Sequence, residues 1–97
     1  MEELVFEWDP DKDVSNQGKH GVSFEEAKTV FTDQSARLIA DPDHSQEEDR
    51  FIILGMSIYS KLLVVCHCIR TDDVIRIISA RKADKQERRI YEEFRHA

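Results

Sequence analysis

Long apolar runs are what this sequence most plainly lacks: none approaches the roughly 18 residues that a helix needs to span a bilayer. A charged content of 35% argues further against a membrane protein. Cysteine is scarce as well. The two present, Cys66 and Cys68, flank His67 and sit too close in sequence for an ordinary disulfide, so a disulfide-stapled fold is excluded. On a strand the two thiols share one face and His67 points to the other, which leaves them as small buried hydrophobes rather than metal ligands. No repeat, low-complexity tract or linker interrupts the chain, and 97 residues suit one domain spanning 1–97. The start, Met1-Glu2-Glu3, is acidic and has neither the basic opening nor the apolar core of a signal peptide. A cytoplasmic protein is expected.

What is present is charge, unevenly spread. The formal net charge is −6, yet residues 1–49 carry 14 acidic and 4 basic side chains, and residues 50–97 carry 10 basic and 6 acidic. Nucleic acid responds to local potential within a Debye length of roughly 8–10 Å, so a basic half-molecule can hold phosphate inside an acidic protein. The acidic half suits a basic partner.

One stretch organises the rest. Val74-Ile75-Arg76-Ile77-Ile78-Ser79-Ala80-Arg81-Lys82 is rich in β-branched residues and reads as a well-buried strand. An arginine sits in its middle and Arg81-Lys82 closes it. Burying an unpaired guanidinium costs several kcal/mol, so one face or end of this strand must meet water or an anion.

The elements before it alternate legibly. Residues 3–8 form a short strand, with Val5 and Phe6 apolar. Asp9-Pro10 follows the pattern of an N-cap with proline at the first helical position, opening a polar helix to Lys19 whose main apolar contact is Val14. Gly21 fits the left-handed position beyond its end. Ser23 with Glu26 makes a capping box for a second helix to about Phe31, burying Phe24, Ala27, Val30 and Phe31. A short strand from Ala36 to Ala40 leads into an acidic loop, Asp41 to Asp49, that contains His44. Two strands follow, Phe51–Met56 and Leu62–Ile69, joined at Ser57–Ser60. Thr71-Asp72-Asp73 turns the chain into the focal strand. Asp84 with Glu87 caps a last helix carrying Ile90, Tyr91 and Phe94 in a stripe. The order β-α-α-β-β-β-β-α is an α+β arrangement: two short N-terminal helices, an antiparallel sheet of about four or five strands, and a C-terminal helix.

Several strings occur together and in order: Phe6-Glu7-Trp8-Asp9-Pro10, Asn16, Lys19-His20-Gly21-Val22-Ser23-Phe24-Glu25-Glu26-Ala27, Val30-Phe31, Asp33, Asp49-Arg50, Gly55 and Arg76-Ile77-Ile78-Ser79-Ala80-Arg81-Lys82-Ala83. In these the chain resembles the BrnT family, the toxin half of a type II toxin–antitoxin module, from about Phe6 to Tyr91. The resemblance implies a RelE-like fold, a ribonuclease that blocks translation, and a neighbouring BrnA antitoxin. That antitoxin, of the ribbon-helix-helix type, neutralises the toxin and carries the DNA-binding part that represses the operon. One departure is Cys66-His67-Cys68-Ile69 before Arg70, where the family often has an aromatic near the histidine and a Thr-Glu-like pair before the arginine.

RNA can be cut without metal or cofactor by its own 2′-hydroxyl attacking the adjacent phosphorus. The enzyme must then help remove one proton, neutralise the extra charge of the phosphorane, and protonate the 5′-oxygen. Fixed arginines serve the charge, being always ionised and able to grip phosphate bidentately. Arg50, Arg70 and Arg81 are the expected phosphate holders. His67 or His20 is the expected proton carrier, and Lys19, His20, Lys61, Arg76 and Lys82 are expected to bind RNA.

The hairpin around Asp72-Asp73 admits two registers. A two-residue turn sets Ile69 opposite Arg76 and puts His67 and Arg76 on one face, about 7–8 Å apart and within joint reach of a phosphate. A three-residue loop moves His67 to the face of Ser79 and Arg81. Blander roles stand beside these. Arginines on strands can be ion-paired, as Arg76 with a helix carboxylate; His67 can be a satisfied core histidine; Lys19-His20 can be a polar helix end; Trp8 can be a core anchor. Against the nuclease stands a non-catalytic module that pairs with an antitoxin and joins it in repression, touching operator DNA only through that partner.

Overall fold

The computed structural model describes residues 4–39 and 50–95. In chain order these form β1 (Val5–Glu7), α1 (Pro10–His20), α2 (Phe24–Thr29) with a 3-10 turn at Val30–Thr32, β2 (Arg37–Ile39), β3 (Arg50–Met56), β4 (Leu62–Ile69), a second 3-10 turn at Thr71–Asp73, β5 (Val74–Lys82) and α3 (Lys85–Arg95). The expected acidic loop, Asp41 to Asp49, lies outside the described residues. No helix among the described residues is long and apolar enough to cross a membrane.

The strands make one sheet in the order β1-β5-β4-β3-β2. β2 to β5 run antiparallel as the meander requires. β1 adds a parallel edge, with Phe6 beside Ile75 and Glu7 beside Arg76, so the sheet is mixed. Nothing local could announce that direction, because β1 and β5 are separated by almost the whole chain.

Each face of the sheet has its own core. On one, Val22, Phe24, Ala27 and Val30 from the α2 region pack on Leu63, Val65, Ile77 and Ala80. On the other, Tyr91 and Ile90 of α3 lie against Ile52, Leu54, Leu62, Val64 and Cys66. β4 is therefore apolar on both sides, which explains its unbroken hydrophobic run.

Local chemistry fixes the ends. Asp9 caps α1 through the Asp11 amide, and Gly21 takes φ 69° with its N–H on the Gln17 carbonyl. Ser23 accepts from the Glu26 amide, but the Glu26 carboxylate turns away from its own helix start to accept from the Ser57 hydroxyl at 2.8 Å. At α3 the box is complete: Glu87 N–H donates to Asp84 and Asp84 N–H donates to Glu87. Gly55 is required by close packing, since a β-carbon there would sit 2.7 Å from Ala36 Cβ and 2.8 Å from Val30 Cγ1.

Between β4 and β5 both expected registers occur. On the turn side, where the loop is three residues long and Asp73 is left-handed, His67 pairs with Ile77 and Ile69 with Ile75. Beyond a bulge, Cys66 pairs with Ser79 and Val64 with Arg81. Ile78 is the extra residue that absorbs the shift.

Candidate functional site

The bulge decides which side chains meet. Had either register held throughout, His67 would share a face with Arg76 or with Arg81. Instead Arg76 pairs with Cys68 and Arg81 with Val64, so both arginines point to the α3 face while His67 lies on the other. His67 is 3% exposed, edge-on to Phe31 at 4.8 Å and tilted against Phe51 at 6.0 Å. Burial pushes its pKa below the ordinary histidine value, against a weaker upward pull from the Val65 carbonyl. It is a neutral core histidine in this conformation.

The two focal-strand arginines are engaged with carboxylates. Arg76 Nη1 lies 2.8 Å from Glu7 on the neighbouring β1. Arg81 grips Glu87 bidentately, both contacts at 2.8 Å, tying β5 to the first turn of α3. That pairing, with the Asp84 amide, outweighs burial and holds the Glu87 carboxyl below the usual carboxylate range. The remaining cations divide between the ends of the sheet. Arg50 starts β3 in the same cross-strand row as Cys68 and Arg76, and Arg70 follows β4 at the turn. Lys61 lies in the β3–β4 hairpin and Lys82 pairs with Leu63 at that same end. The two ends are roughly 20 Å apart at about 3.3 Å per strand residue, too far for one phosphate to touch both.

Lys19 and His20 are brought together with Lys12 and Ser15 of the same helix and with Ile78 and Ser79 of β5. α1 lies along the part of β5 that β1 leaves unpaired. Its anchor is Asn16, not Val14, which is 69% exposed. The buried Asn16 amide donates to the Val22 and Ala80 carbonyls, and its oxygen accepts from the Ala80 N–H. One side chain thus satisfies the open edge of β5 as a paired strand would. Around it, Lys12, Ser15 and Lys19 recur at i, i+3 and i+7 on the same helix stripe. With His20, Ile78 and Ser79 they line a depression of about 170 Å3.

None of its lining residues is acidic. Two lysines, a histidine and two hydroxyls line a concavity whose buried amide is already bonded to three backbone groups. Ser79 is exposed there because the bulge re-aims β5 beside Ile78. Such a hollow can hold a phosphodiester, balance charge that builds up on it, and exchange a proton with it. A metal has no evident ligand set, for no group of three or more His, Cys, Asp or Glu comes together among the described residues. The signal for this site was in the sequence, as the Lys12, Ser15, Asn16, Lys19 spacing. It was masked by Val14, the one apolar residue on the helix.

Comparison with known proteins bears on this geometry. The family described as the ribonuclease toxin, BrnT, of type II toxin–antitoxin systems matches over residues 8–87. A crystal structure of the Brucella abortus ribonuclease toxin BrnT, at 1.1 Å resolution, is similar with a TM-score of 0.67. It is 21% identical, and the match covers 86% of this chain and 100% of that one. At that identity the likeness speaks to the fold. Among curated proteins nothing matches.

Proposed function

The chain belongs to the BrnT family of ribonuclease toxins from type II toxin–antitoxin systems, and on that premise we propose that it is a metal-independent endoribonuclease acting at the depression between α1 and β5. The observation that carries this is the Lys12, Lys19 and His20 cluster around a cavity free of carboxylates.

The chemistry follows from what the chain supplies. The 2′-hydroxyl attacks the adjacent phosphorus, the 5′-oxygen leaves, and the products are a 2′,3′-cyclic phosphate and a 5′-hydroxyl. Lys12 and Lys19 balance the charge that grows on the non-bridging oxygens, the larger part of catalysis at preorganised sites. His20, exposed at the rim, moves the proton, since an imidazole offers one nitrogen to accept and one to donate. Ser15 and Ser79 offer hydrogen bonds that orient the phosphate. Arg50 and Arg70 act at a distance, drawing RNA to the basic half of the chain, and Lys61 and Lys82 bind the strand beyond the depression. In the cell this activity blocks translation until an antitoxin of the BrnA, ribbon-helix-helix kind covers the toxin; the acidic N-terminal half suits a basic surface on that partner.

A second reading rests on one observation. Arg76 and Arg81, the arginines of the family-like C-terminal motif, each hold a carboxylate of their own chain. That favours a non-catalytic module that binds an antitoxin and shares in repression. Incubating the purified protein with RNA in excess EDTA and mapping the ends separates the two. Cleavage with cyclic-phosphate ends supports the nuclease, whereas antitoxin binding with intact RNA supports the module.

A further inference from the structure

The β3–β4 hairpin exposes two large apolar side chains at its tip, Ile58 at 64% and Tyr59 at 66%. Single exposed apolar residues are ordinary on protein surfaces. What sets this pair apart is how firmly the backbone beneath it is held. The Ser57 N–H donates to the Lys61 carbonyl and the Ser60 N–H to the Ser57 carbonyl. The Ser57 hydroxyl, itself 2.8 Å from the buried Glu26 carboxylate, accepts from the Tyr59 and Lys61 amides. The Ile58 N–H donates to the Thr29 hydroxyl of α2. Ser60 adopts φ 60°, a left-handed conformation that disfavours a residue with a side chain. A buried carboxylate, two hydroxyls and one strained residue fix a four-residue tip whose two apolar side chains are mostly exposed.

Two lysines stand at this end of the sheet. Lys61 follows Tyr59 by two residues, and Lys82 stands at the same end of the sheet, opposite Leu63. Lys82 is three residues beyond Ser79, so it lies about 10 Å along β5 from the depression at 3.3 Å per residue. The bonds to Glu26 and Thr29 lean the tip toward α2, on the sheet side that Lys82 also faces. An exposed aromatic ring on the same hairpin as Lys61, at the sheet end that Lys82 shares, has the parts that take single-stranded nucleic acid by stacking.

We propose that the Tyr59 ring is a base-stacking platform for the RNA strand that leaves the α1–β5 depression, with Lys61 and Lys82 holding the backbone between them. This rests on the reading of the depression as the cleavage site, and makes the hairpin tip a second subsite of that groove. Because the platform is preformed, little ordering is lost when a base settles on it.

The test compares Tyr59→Ala, Tyr59→Phe and Lys19→Ala on two RNAs, a dinucleotide that fills the depression alone and a single-stranded 12-mer. Binding of the 12-mer is measured on its 2′-O-methyl form, which cannot be cut. Tyr59→Ala should weaken 12-mer binding about 10-fold, the scale of one lost stacked base, and leave dinucleotide cleavage unchanged. Tyr59→Phe should keep both. Equal 12-mer binding by Tyr59→Ala and the unaltered protein overturns the platform while leaving the depression in place. If Tyr59→Ala keeps RNA affinity but loses affinity for the antitoxin, the tip is a protein anchor and the proposal is wrong. Unchanged dinucleotide cleavage by Lys19→Ala would instead remove the depression, whatever Tyr59 does.

Discussion

His67 and Asn16 are both buried polar side chains, and they behave in opposite ways. His67 has one carbonyl partner and two aromatic neighbours, so burial disfavours its charged form in the fold. With a folded pKa below the unfolded value near 6.5, its contribution to stability is complete above about pH 6.5 and is lost as pH falls through the folded value. Urea midpoints measured from pH 7.5 to pH 5 should therefore decline more steeply for the natural chain than for His67→Leu. Parallel curves would mean that His67 is charged or solvated in the fold. Asn16 is polar for the reverse reason, because three backbone groups depend on it. Asn16→Ala should cost about 3 kcal/mol, the expense of leaving buried donors and acceptors unpaired. It should also release α1 from β5, seen as faster amide exchange at Ala80.

At the scale of elements, the parts legible in the sequence were those set by neighbours a few residues apart. Asp84 and Glu87 announce α3, Ser23 announces α2, Gly21 ends α1, and the β-branched run from Val74 bounds β5 at the residues observed. Illegible were choices made by distant packing. The run Val74 to Ala80 has no polar alternation, so it names no face, and the bulge arises because Ile77 and Ala80 enter one core while Ile78 packs in the other. The spacing of Asn16 could not reveal that an amide would stand in for a strand. Phe94 reads as part of the buried stripe of α3, yet it is half-exposed beneath the Arg37 guanidinium at 4.1 Å. Glu87 serves two elements at once, completing the cap of α3 and holding Arg81 of β5. Glu87→Ala should lower stability by about 1–2 kcal/mol, read as a fall in thermal midpoint with loss of helical signal. A change within error would show that the bidentate pair is solvated away.

Across the whole molecule, an acidic first half and a basic second half share one sheet, and the candidate site borrows from both. Lys12, Lys19 and His20 come from α1 in the acidic half, and Ser79 from β5 in the basic one. Net charge therefore says little about where RNA would sit. With Lys12 and Lys19 on one phosphate, replacing either by alanine should reduce the slope of log affinity against log salt, by up to about 0.7 for a single strand. An unaltered slope would place that lysine outside the contact.

The decisive measurement is single-turnover cleavage of one RNA in excess EDTA by the natural chain, His20→Ala and Lys19→Ala. Cleavage by the natural chain is expected, with rates at least about 100-fold lower for both variants, which remove a proton carrier and a charge-balancing group. Cleavage at equal rates by all three would contradict that expectation, and would move the chemistry away from the α1–β5 depression.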